Sequence, residues 1–149
     1  MQWYGVAGNQ IYNRPRYNTD RTDENASYRS DLSPWTPQNT NTDDPRIGIA
    51  NDDQGIQFNA RPDTDRWLES GSYLRLRNLE IGYRLPASLL SAAGIRTARV
   101  SLSGQNLFTF TKYTGLDPDI TGVNIFERGL DDGQYPSLRI YSLGVQFGF

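Results

Sequence analysis

The stretch ARVSLSGQNLFTF, residues 98–110, alternates between apolar and polar side chains along almost its whole length. One set of alternate positions is apolar, with Asn106 as the exception, and it comprises Ala98, Val100, Leu102, Gly104, Phe108 and Phe110. The intervening set comprises Arg99, Ser101, Ser103, Gln105, Leu107 and Thr109. A repeat of two residues is typical of a β-strand with one apolar face and one polar face. Residues 98–110 therefore predict such a strand.

The same alternation occurs in two further stretches, YLRLRNLEIGYRL at 73–85 and LRIYSLGVQFGF at 138–149. The aromatic segment MQWYGVAGNQIY at 1–12 predicts a fourth strand. In 73–85, Leu74 and Leu76 are out of phase with Leu79. This indicates either a β-bulge near Asn78 or a strand that leaves its apolar environment there. The predicted fold class is all-β, an antiparallel meander of these four strands.

The connections between the strands differ greatly in length. Residues 86–97 form a short connection, whereas residues 13–72 and 111–137 form two long polar loops. Loops this long are uncommon in compact soluble domains. Outer-membrane barrels, however, combine short periplasmic turns with long extracellular loops. The pattern predicts the last strands of a large transmembrane β-barrel, with both long loops outside the cell.

Four strands cannot close a barrel, because about eight is the usual minimum. Open sheet edges are not tolerated in the hydrocarbon of a bilayer. We therefore expect residues 1–149 to be the carboxyl-terminal part of a longer barrel protein. The absence of a leader sequence after Met1 agrees with this expectation.

Composition excludes several kinds of chemistry. The chain has no cysteine and no histidine, which removes disulfides, Cys/His zinc sites and histidine-based catalytic triads. The net charge of -2 gives no reason to expect a nucleic-acid partner. Hydrophobic residues make up only 36% of the chain but aromatic residues make up 12%, which is high for a disordered protein. An enzyme would have to rely on Asp and Glu, and this hypothesis ranks last.

Several ordered segments resemble one protein family. They are Glu69–Pro86, Val100–Tyr113 followed by Gly115–Asp119, Tyr135-Pro136 with the closing Ser142–Phe149, and Trp35-Thr36-Pro37 with Asp44-Pro45-Arg46. Together they resemble the late-barrel region of SusC/RagA-like TonB-dependent outer-membrane transporters. The resemblance covers most of residues 1–149.

The resemblance implies a large barrel with an internal plug, powered through TonB, in the outer membrane of a Bacteroidetes-like Gram-negative bacterium. It implies import of glycans or peptides together with a SusD-like surface lipoprotein, with no cofactor and no enzymatic activity. The plug, the TonB-contacting segment and the signal peptide would lie upstream. The fragment alone is therefore not expected to transport anything.

The alternating motif of residues 141–149 is the strongest candidate functional element. Its members are Tyr141, Leu143, Val145, Phe147 and Phe149. It resembles the carboxyl-terminal signal that the barrel-assembly machinery reads by pairing with a strand edge. The alternative interpretation is a strand that faces outer-membrane lipid and nothing more.

Aromatic and acidic residues of the long loops are candidate extracellular contacts. Trp35 and Trp67 could stack on a sugar or contact the lipoprotein, or they could pack within their own loop. Asp117 and Asp119 flank Pro118, and such pairs could hold Ca²⁺ or act in glycoside hydrolysis. Asp-Pro sequences are also ordinary turn formers, and no EF-hand spacing is present. We therefore expect turns here, with no metal site and no catalytic residues.

Two questions remain open at the level of sequence. Five arginines could line the barrel lumen or contact lipopolysaccharide phosphates: Arg75, Arg77, Arg84, Arg99 and Arg139. The leading alternative to a transporter is a soluble β-sandwich that binds carbohydrate. A sandwich predicts that Leu79, Ile81 and Tyr83 pack against Val100, Leu102 and Phe108 from two sheets. A transporter predicts that these residues lie on one continuous outward surface.

Overall fold

The computed structural model describes residues 1–20, 29–47, 64–90, 94–120 and 127–149. The chain divides into two units. The sheet unit comprises residues 1–7, 72–112 and 136–149, and the loop unit comprises residues 8–71 and 113–135. The strands are β1 (Gln2–Val6), β2 (Gln10–Asn13), β3 (Leu68–Ser70), β4 (Tyr73–Arg84), β5 (Thr97–Thr111), β6 (Leu130–Asp131) and β7 (Ile140–Gly148). The helices are α1 (Arg14–Asp20) and α2 (Ala87–Leu90), with a 3-10 turn at Asp65–Trp67.

The sheet unit is one antiparallel sheet of four strands in the order β1-β4-β5-β7. β4 pairs with β5 from Tyr73 opposite Thr111 to Arg84 opposite Arg99. β5 pairs with β7 from Thr97 opposite Gly148 to Gln105 opposite Ile140. Sequential strands of alternating polarity are thus hydrogen-bonded neighbours, as in a meander.

The alternating pattern of β5 is interrupted at Asn106. Leu76 lies opposite Phe108 and Asn78 lies opposite Gln105, so two residues of β5 face one residue of β4. Asn106 has a φ of 52°, in the left-handed region that asparagine tolerates better than most residues. This is a β-bulge. It lies beside Asn78, but its extra residue belongs to β5 and not to strand 73–85, where the sequence indicated a bulge.

The bulge moves part of β5 to the opposite face, which corrects the prediction that Phe108 and Phe110 share a face with Leu102. A Cβ added to Gly104 would lie 2.6 Å from a methyl carbon of Leu107, so Leu107 lies on the face of Gly104. The next residue, Phe108, then points the other way. The predicted alternation failed here because the extra residue shifts the phase by one.

The interpretation of residues 1–12 as one strand is also corrected. The structure divides this segment into β1, in the sheet unit, and β2, in the loop unit. The break lies at Gly8, whose φ of 83° is a conformation that glycine adopts without steric cost. The chain turns at this glycine instead of continuing as one strand.

The predicted long loops contain structure of their own. β2 pairs antiparallel with β3 and parallel with β6, forming a small second sheet. Ile11 and Trp67 form an apolar core there, with exposed fractions of 1% and 0%. The short connection is a helical turn, α2, followed by Gly94 at a φ of 68°. Among the described residues, no helix is long and apolar enough to cross a membrane.

Candidate functional site

Between the bulge at Asn106 and the strand ends at Arg84, Thr97 and Gly148, one side of the sheet unit carries a continuous set of exposed apolar side chains. This set is here called the apolar face. Residues paired directly across neighbouring strands point to the same side of a sheet. The pairs Ile81–Leu102–Leu143 and Tyr83–Val100–Val145 therefore lie in rows across β4, β5 and β7. The members of the apolar face are Leu79, Ile81, Tyr83, Val100, Leu102, Tyr141, Leu143, Val145 and Phe147, and Leu107 lies on the same side but is buried.

The apolar face is open to its surroundings. Ile81 is 62% exposed, Leu102 is 55% exposed and Leu143 is 72% exposed. Apolar area of this extent is unfavourable in water and marks a surface that another apolar phase covers. The face belongs to a single sheet, and no second sheet covers it among the described residues.

The opposite side of the same strands is hydrophilic and is here called the polar face. Its members are Asn78, Glu80, Gly82, Arg84, Arg99, Ser101, Ser103, Gln105, Ser142, Gly144 and Gln146. Arg99 donates a hydrogen bond of 2.8 Å to Glu80. A Cβ at Gly82 would lie 2.7 Å from the Arg99 guanidinium, so the glycine leaves the space that this ion pair occupies. The two sides of the sheet unit thus differ in character: one is hydrophilic and the other is apolar.

This arrangement contradicts the sandwich alternative within the described residues. A sandwich would bury Ile81 and Leu102 between two sheets, whereas both lie exposed on one sheet. The transporter hypothesis is right about the single surface but wrong about Phe108, which the bulge places on the other side.

The residues of the candidate assembly motif are all exposed. Tyr141, Leu143, Val145 and Phe147 belong to the apolar face on β7, the outermost strand of the described sheet. Phe149 follows β7 and is 82% exposed. The structure therefore presents the motif on a strand with one edge unpaired among the described residues.

Trp35 and Trp67 differ sharply in accessibility. Trp67 is fully buried, packs edge to face against Tyr17 at 5.4 Å and has the Arg66 guanidinium 5.3 Å from its ring centre. It is therefore not available as a surface contact, which corrects that prediction. A large side chain at the centre of the loop unit's core excludes water and fixes the segments around it.

Trp35 lies in an open cleft. The cleft has a volume of about 560 Å³ and is lined by Pro34, Trp35, Thr36, Pro37, Arg46 and Ile47. Trp35 donates its backbone N–H to the Asp44 carbonyl at 3.0 Å. The Asp44 carboxylate accepts hydrogen bonds from the Ser33 backbone N–H at 2.9 Å and from Arg66 at 3.0 Å, and these lower its pKa. The tryptophan is thus presented from a closed, hydrogen-bonded loop.

Asp117 and Asp119 form a turn. The Asp117 carboxylate accepts the backbone N–H of Asp119 at 2.9 Å, and Pro118 between them is buried. This is the local turn chemistry of an Asx motif. In the part of the chain that the structure describes, no group of three or more acidic side chains is placed to hold a metal ion.

Among the described residues of the loop unit, a polar cluster surrounds Glu69, and sequence reasoning did not single it out. Glu69 accepts hydrogen bonds from the Thr114 backbone N–H at 2.8 Å, from Arg16 at 2.9 Å and from Asn13 at 3.1 Å. Arg16 also contacts Asp20, at 3.2 Å. The cluster ties β2, α1 and β3 to the segment that begins at Tyr113. Asn13 and Thr114 are 101 positions apart, so no local sequence signal could have indicated the proximity of these residues.

Two pKa values in this region depart from their usual range. Burial disfavours the charged form of Glu69, but the hydrogen bonds from Thr114, Arg16 and Asn13 outweigh it and lower its pKa. Burial, together with a hydrogen bond to Asp131, raises the pKa of the Tyr113 hydroxyl. Glu69 therefore stays ionised and Tyr113 stays protonated around neutral pH, which suits a structural network.

The lowered pKa of Glu69 predicts a pH dependence for the loop unit. Since the pKa is lower when folded than the ordinary 4.5, the stabilisation is fully present above that value and is lost as the pH falls through the folded pKa. Hydrogen exchange of residues 68–71 and 113–116 in the purified full-length protein should accelerate, relative to intrinsic rates, below about pH 4.5. Glu69→Gln should remove this step.

Glu80→Gln is the matched control, because the Glu80 carboxylate is more than half exposed. It should leave the exchange of residues 68–71 unchanged at every pH. Equal acid steps in wild type and Glu69→Gln would contradict the assignment of the step to Glu69.

Comparisons with known proteins place the chain among outer-membrane receptors, although no protein-family profile matches it. It is 40% identical over 124 residues to TonB-dependent receptor P3 of Formosa agariphila, covering 79% of this chain and 12% of the receptor. It is 30% identical over 88 residues to the TonB-dependent receptor SusC of Bacteroides thetaiotaomicron, covering 58% of this chain and 8% of SusC. A structure of the RagAB peptide transporter superimposes on 99% of this chain, with a TM-score of 0.76 and 32% identity, over 15% of that chain.

These similarities confirm the predicted resemblance to SusC/RagA-like TonB-dependent transporters and the predicted fold class, strands of a large transmembrane β-barrel. The relatives are receptors and transporters rather than enzymes, in agreement with the expectation of no catalytic activity. The chain spans between 8% and 15% of the length of these relatives.

Proposed function

We propose that this chain, whose sequence and fold are similar to those of SusC/RagA-like TonB-dependent receptors, forms one section of the wall of an outer-membrane nutrient transporter. The observation that carries the proposal is the apolar face, an exposed surface backed by the polar face on the same strands. In a closed barrel the apolar face would contact lipid and the polar face would line an aqueous lumen.

The proposal includes the parts that lie outside this chain. Further strands would close the sheet, because open edges are not tolerated in hydrocarbon. An upstream plug and a TonB-contacting segment would supply gating and energy. The full protein, and not residues 1–149 alone, is then the transport-competent unit.

The loop unit would lie on the extracellular side. The long connection 13–72 leads into the start of β4 and the long connection 111–137 leaves the end of β5, and these two strand ends are paired through Tyr73 and Thr111. The short connection 86–97 joins the other ends of β4 and β5, as periplasmic turns do. Trp35, in its open cleft, would then be able to contact a SusD-like surface lipoprotein or the substrate. A peptide or a glycan is the substrate class that we propose, since a similar structure is that of a peptide transporter.

The proposal is tested with the full-length protein in its native host. Deletion of the gene should abolish uptake of either labelled peptides or labelled oligosaccharides from the medium, and the full-length gene should restore it. The protein should also fractionate with the outer membrane and co-purify with a surface lipoprotein. Unchanged uptake of both substrate classes, or fractionation away from the outer membrane, would overturn the proposal.

We further propose that Tyr141, Leu143, Val145, Phe147 and Phe149 act as the signal for the barrel-assembly machinery. Phe147→Ser should then lower the amount of folded protein in the outer membrane severalfold, as measured by heat-modifiable electrophoretic mobility. Ile81→Ser is the control, because Ile81 lies on the same apolar face outside the motif. If the two variants lose equal amounts in cells and equal stability after refolding in vitro, residues 141–149 are a lipid-facing strand and no more.

A further inference from the structure

The segment 33–46 of the loop unit, which carries Trp35, is closed by its own hydrogen bonds. Thr36 and Asn39 exchange backbone hydrogen bonds of 3.1 Å and 2.9 Å. The side-chain amide of Asn39 also donates to the carbonyl and the hydroxyl of Ser33, at 3.2 Å and 2.8 Å. A segment that is already ordered loses less conformational entropy when it binds a ligand. Trp35 is therefore presented from a preorganised loop.

Arg66 connects this segment to the buried core of the loop unit. Its guanidinium donates hydrogen bonds to the Asp43 carbonyl at 2.6 Å and to the Asp44 carboxylate at 3.0 Å. The guanidinium carbon of the same residue lies 5.3 Å from the centre of the fully buried Trp67 ring. The exposed Trp35 is thus held in place relative to the core of its own unit.

The polar side chains that line the open cleft at Trp35, here called the Trp35 cleft, are mainly hydrogen-bond donors. The indole N–H of Trp35 and the guanidinium of Arg46 donate and cannot accept. The Thr36 hydroxyl already accepts the Asn39 backbone N–H at 3.0 Å, which leaves its own O–H to donate. The cleft therefore suits a ligand group that only accepts hydrogen bonds.

Arg46 gives the Trp35 cleft a positive charge. It is exposed, and none of the ion pairs among the described residues involves it. Asp44, two positions earlier, is paired instead with Arg66 at 3.0 Å. Elsewhere in the loop unit, Arg14 and Arg29 each contact a carboxylate. The charge of Arg46 therefore favours an anionic ligand.

The rest of the Trp35 cleft is apolar. Pro34, Pro37 and Ile47 line it beside the tryptophan, and the two prolines have no backbone N–H. A neutral sugar carries several hydroxyl groups, and each of them donates as well as accepts. A carboxylate only accepts, and an apolar side chain needs no hydrogen bond. The lining therefore fits a carboxylate next to an apolar side chain better than it fits a neutral sugar.

We propose that the Trp35 cleft binds peptides at a carboxylate that lies beside an apolar side chain. Arg46 pairs with the carboxylate through its planar fork of N–H donors, and Trp35 packs against the apolar side chain. The carboxylate belongs either to the peptide terminus or to an acidic side chain. The inference rests on the proposed function in nutrient uptake and narrows its substrate class. It makes Arg46 a residue that determines specificity.

The test measures binding of four acetylated pentapeptides to the purified full-length protein in detergent, by titration calorimetry. Two peptides are amidated at the carboxyl terminus and contain leucine followed by either glutamate or glutamine. The other two end in leucine, with either a free carboxylate or an amide. Wild type should bind at least one carboxylate peptide about fivefold more tightly than its neutral counterpart, the effect of one ion pair in an open site. The pair that shows the preference identifies the source of the carboxylate.

The variants separate the contribution of charge from that of apolar contact. Arg46→Gln should remove the preference for a carboxylate and leave binding of the neutral peptides unchanged. Trp35→Ala should weaken binding of all four peptides severalfold, because it removes a contact that they share. Arg14→Gln is the matched control, since it removes the same charge from an arginine that is already paired with Asp132 at 3.1 Å. It should retain the preference.

Equal binding of the charged and neutral peptides by wild type, or no binding, overturns the inference whatever the variants do. A loss of preference in Arg14→Gln as large as in Arg46→Gln also overturns it, because the preference would then come from net charge. Tighter binding of an oligosaccharide of uronic acids than of any peptide, with a loss in Arg46→Gln, would assign the cleft to acidic glycans instead.

Cell fractionation and uptake separate this result from the proposed function. A protein that lies in the outer membrane and restores uptake, but shows no preference for a carboxylate, refutes only the assignment of the Trp35 cleft. A protein that is absent from the outer membrane refutes the transporter itself.

Discussion

Leu102→Arg is expected to destabilise the folded barrel by about 2–4 kcal/mol, the cost of a lipid-facing cation near the middle of a bilayer. Leu102 lies in the central row of the apolar face, opposite Ile81 and Leu143. Its side chain is 55% exposed in the described sheet, so the substitution creates no steric clash that would imitate the effect. The free energy of unfolding should be measured by denaturant titration of the full-length protein in lipid vesicles.

Ser103→Arg is the matched control for this prediction. Ser103 is the next residue of β5 and lies on the polar face opposite Glu80 and Ser142. An arginine there meets water and a carboxylate, so we expect a change well below 1 kcal/mol, as for most exposed substitutions. Similar losses at positions 102 and 103 would show that the two faces do not meet different solvents.

Trp67→Ala is expected to destabilise the loop unit by about 3–5 kcal/mol, the usual cost of removing a large buried aromatic side chain. Trp67 is fully buried, and the substitution also removes the edge contact with Tyr17 and the cation–π contact with Arg66. Because the loop unit has its own core, the loss should be local. Hydrogen exchange of residues 10–20 and 64–70 in the full-length protein should accelerate strongly, while exchange of β5 and β7 should not.

Trp35→Ala provides the comparison within the same unit. Trp35 is 38% exposed in an open cleft, so its removal should leave the exchange of residues 10–20 almost unchanged. Any effect of Trp35→Ala should instead appear in the binding of substrate or lipoprotein. A global loss of the folded barrel in Trp67→Ala, with β5 and β7 exchanging as fast as β2, would contradict the independence of the loop-unit core.

The two-residue alternation of residues 73–85, 98–110 and 138–149 was sufficient to predict these three strands, their antiparallel order and, from Ala98 to Gln105 on β5, the polarity of each face. The strands and their faces could be predicted because the alternation of side chains is set by local backbone geometry. The order could be predicted because strands that are neighbours along this chain are also neighbours in the sheet. The segments quoted from Glu69 to Phe149 also carried the family resemblance, which the relatives confirmed.

Tertiary structure alone decided the phase of β5 beyond Asn106, the turn at Gly8, the burial of Trp67 and the cluster around Glu69. A bulge shifts every following side chain to the other face, and the sequence around Asn106 showed only one polar residue in an apolar series. The Glu69 contacts join residues from distant parts of the chain, so their free energy depends on a proximity that exists only after folding. Local geometry determined which residues form strands, and long-range packing determined which side of the wall each of them faces.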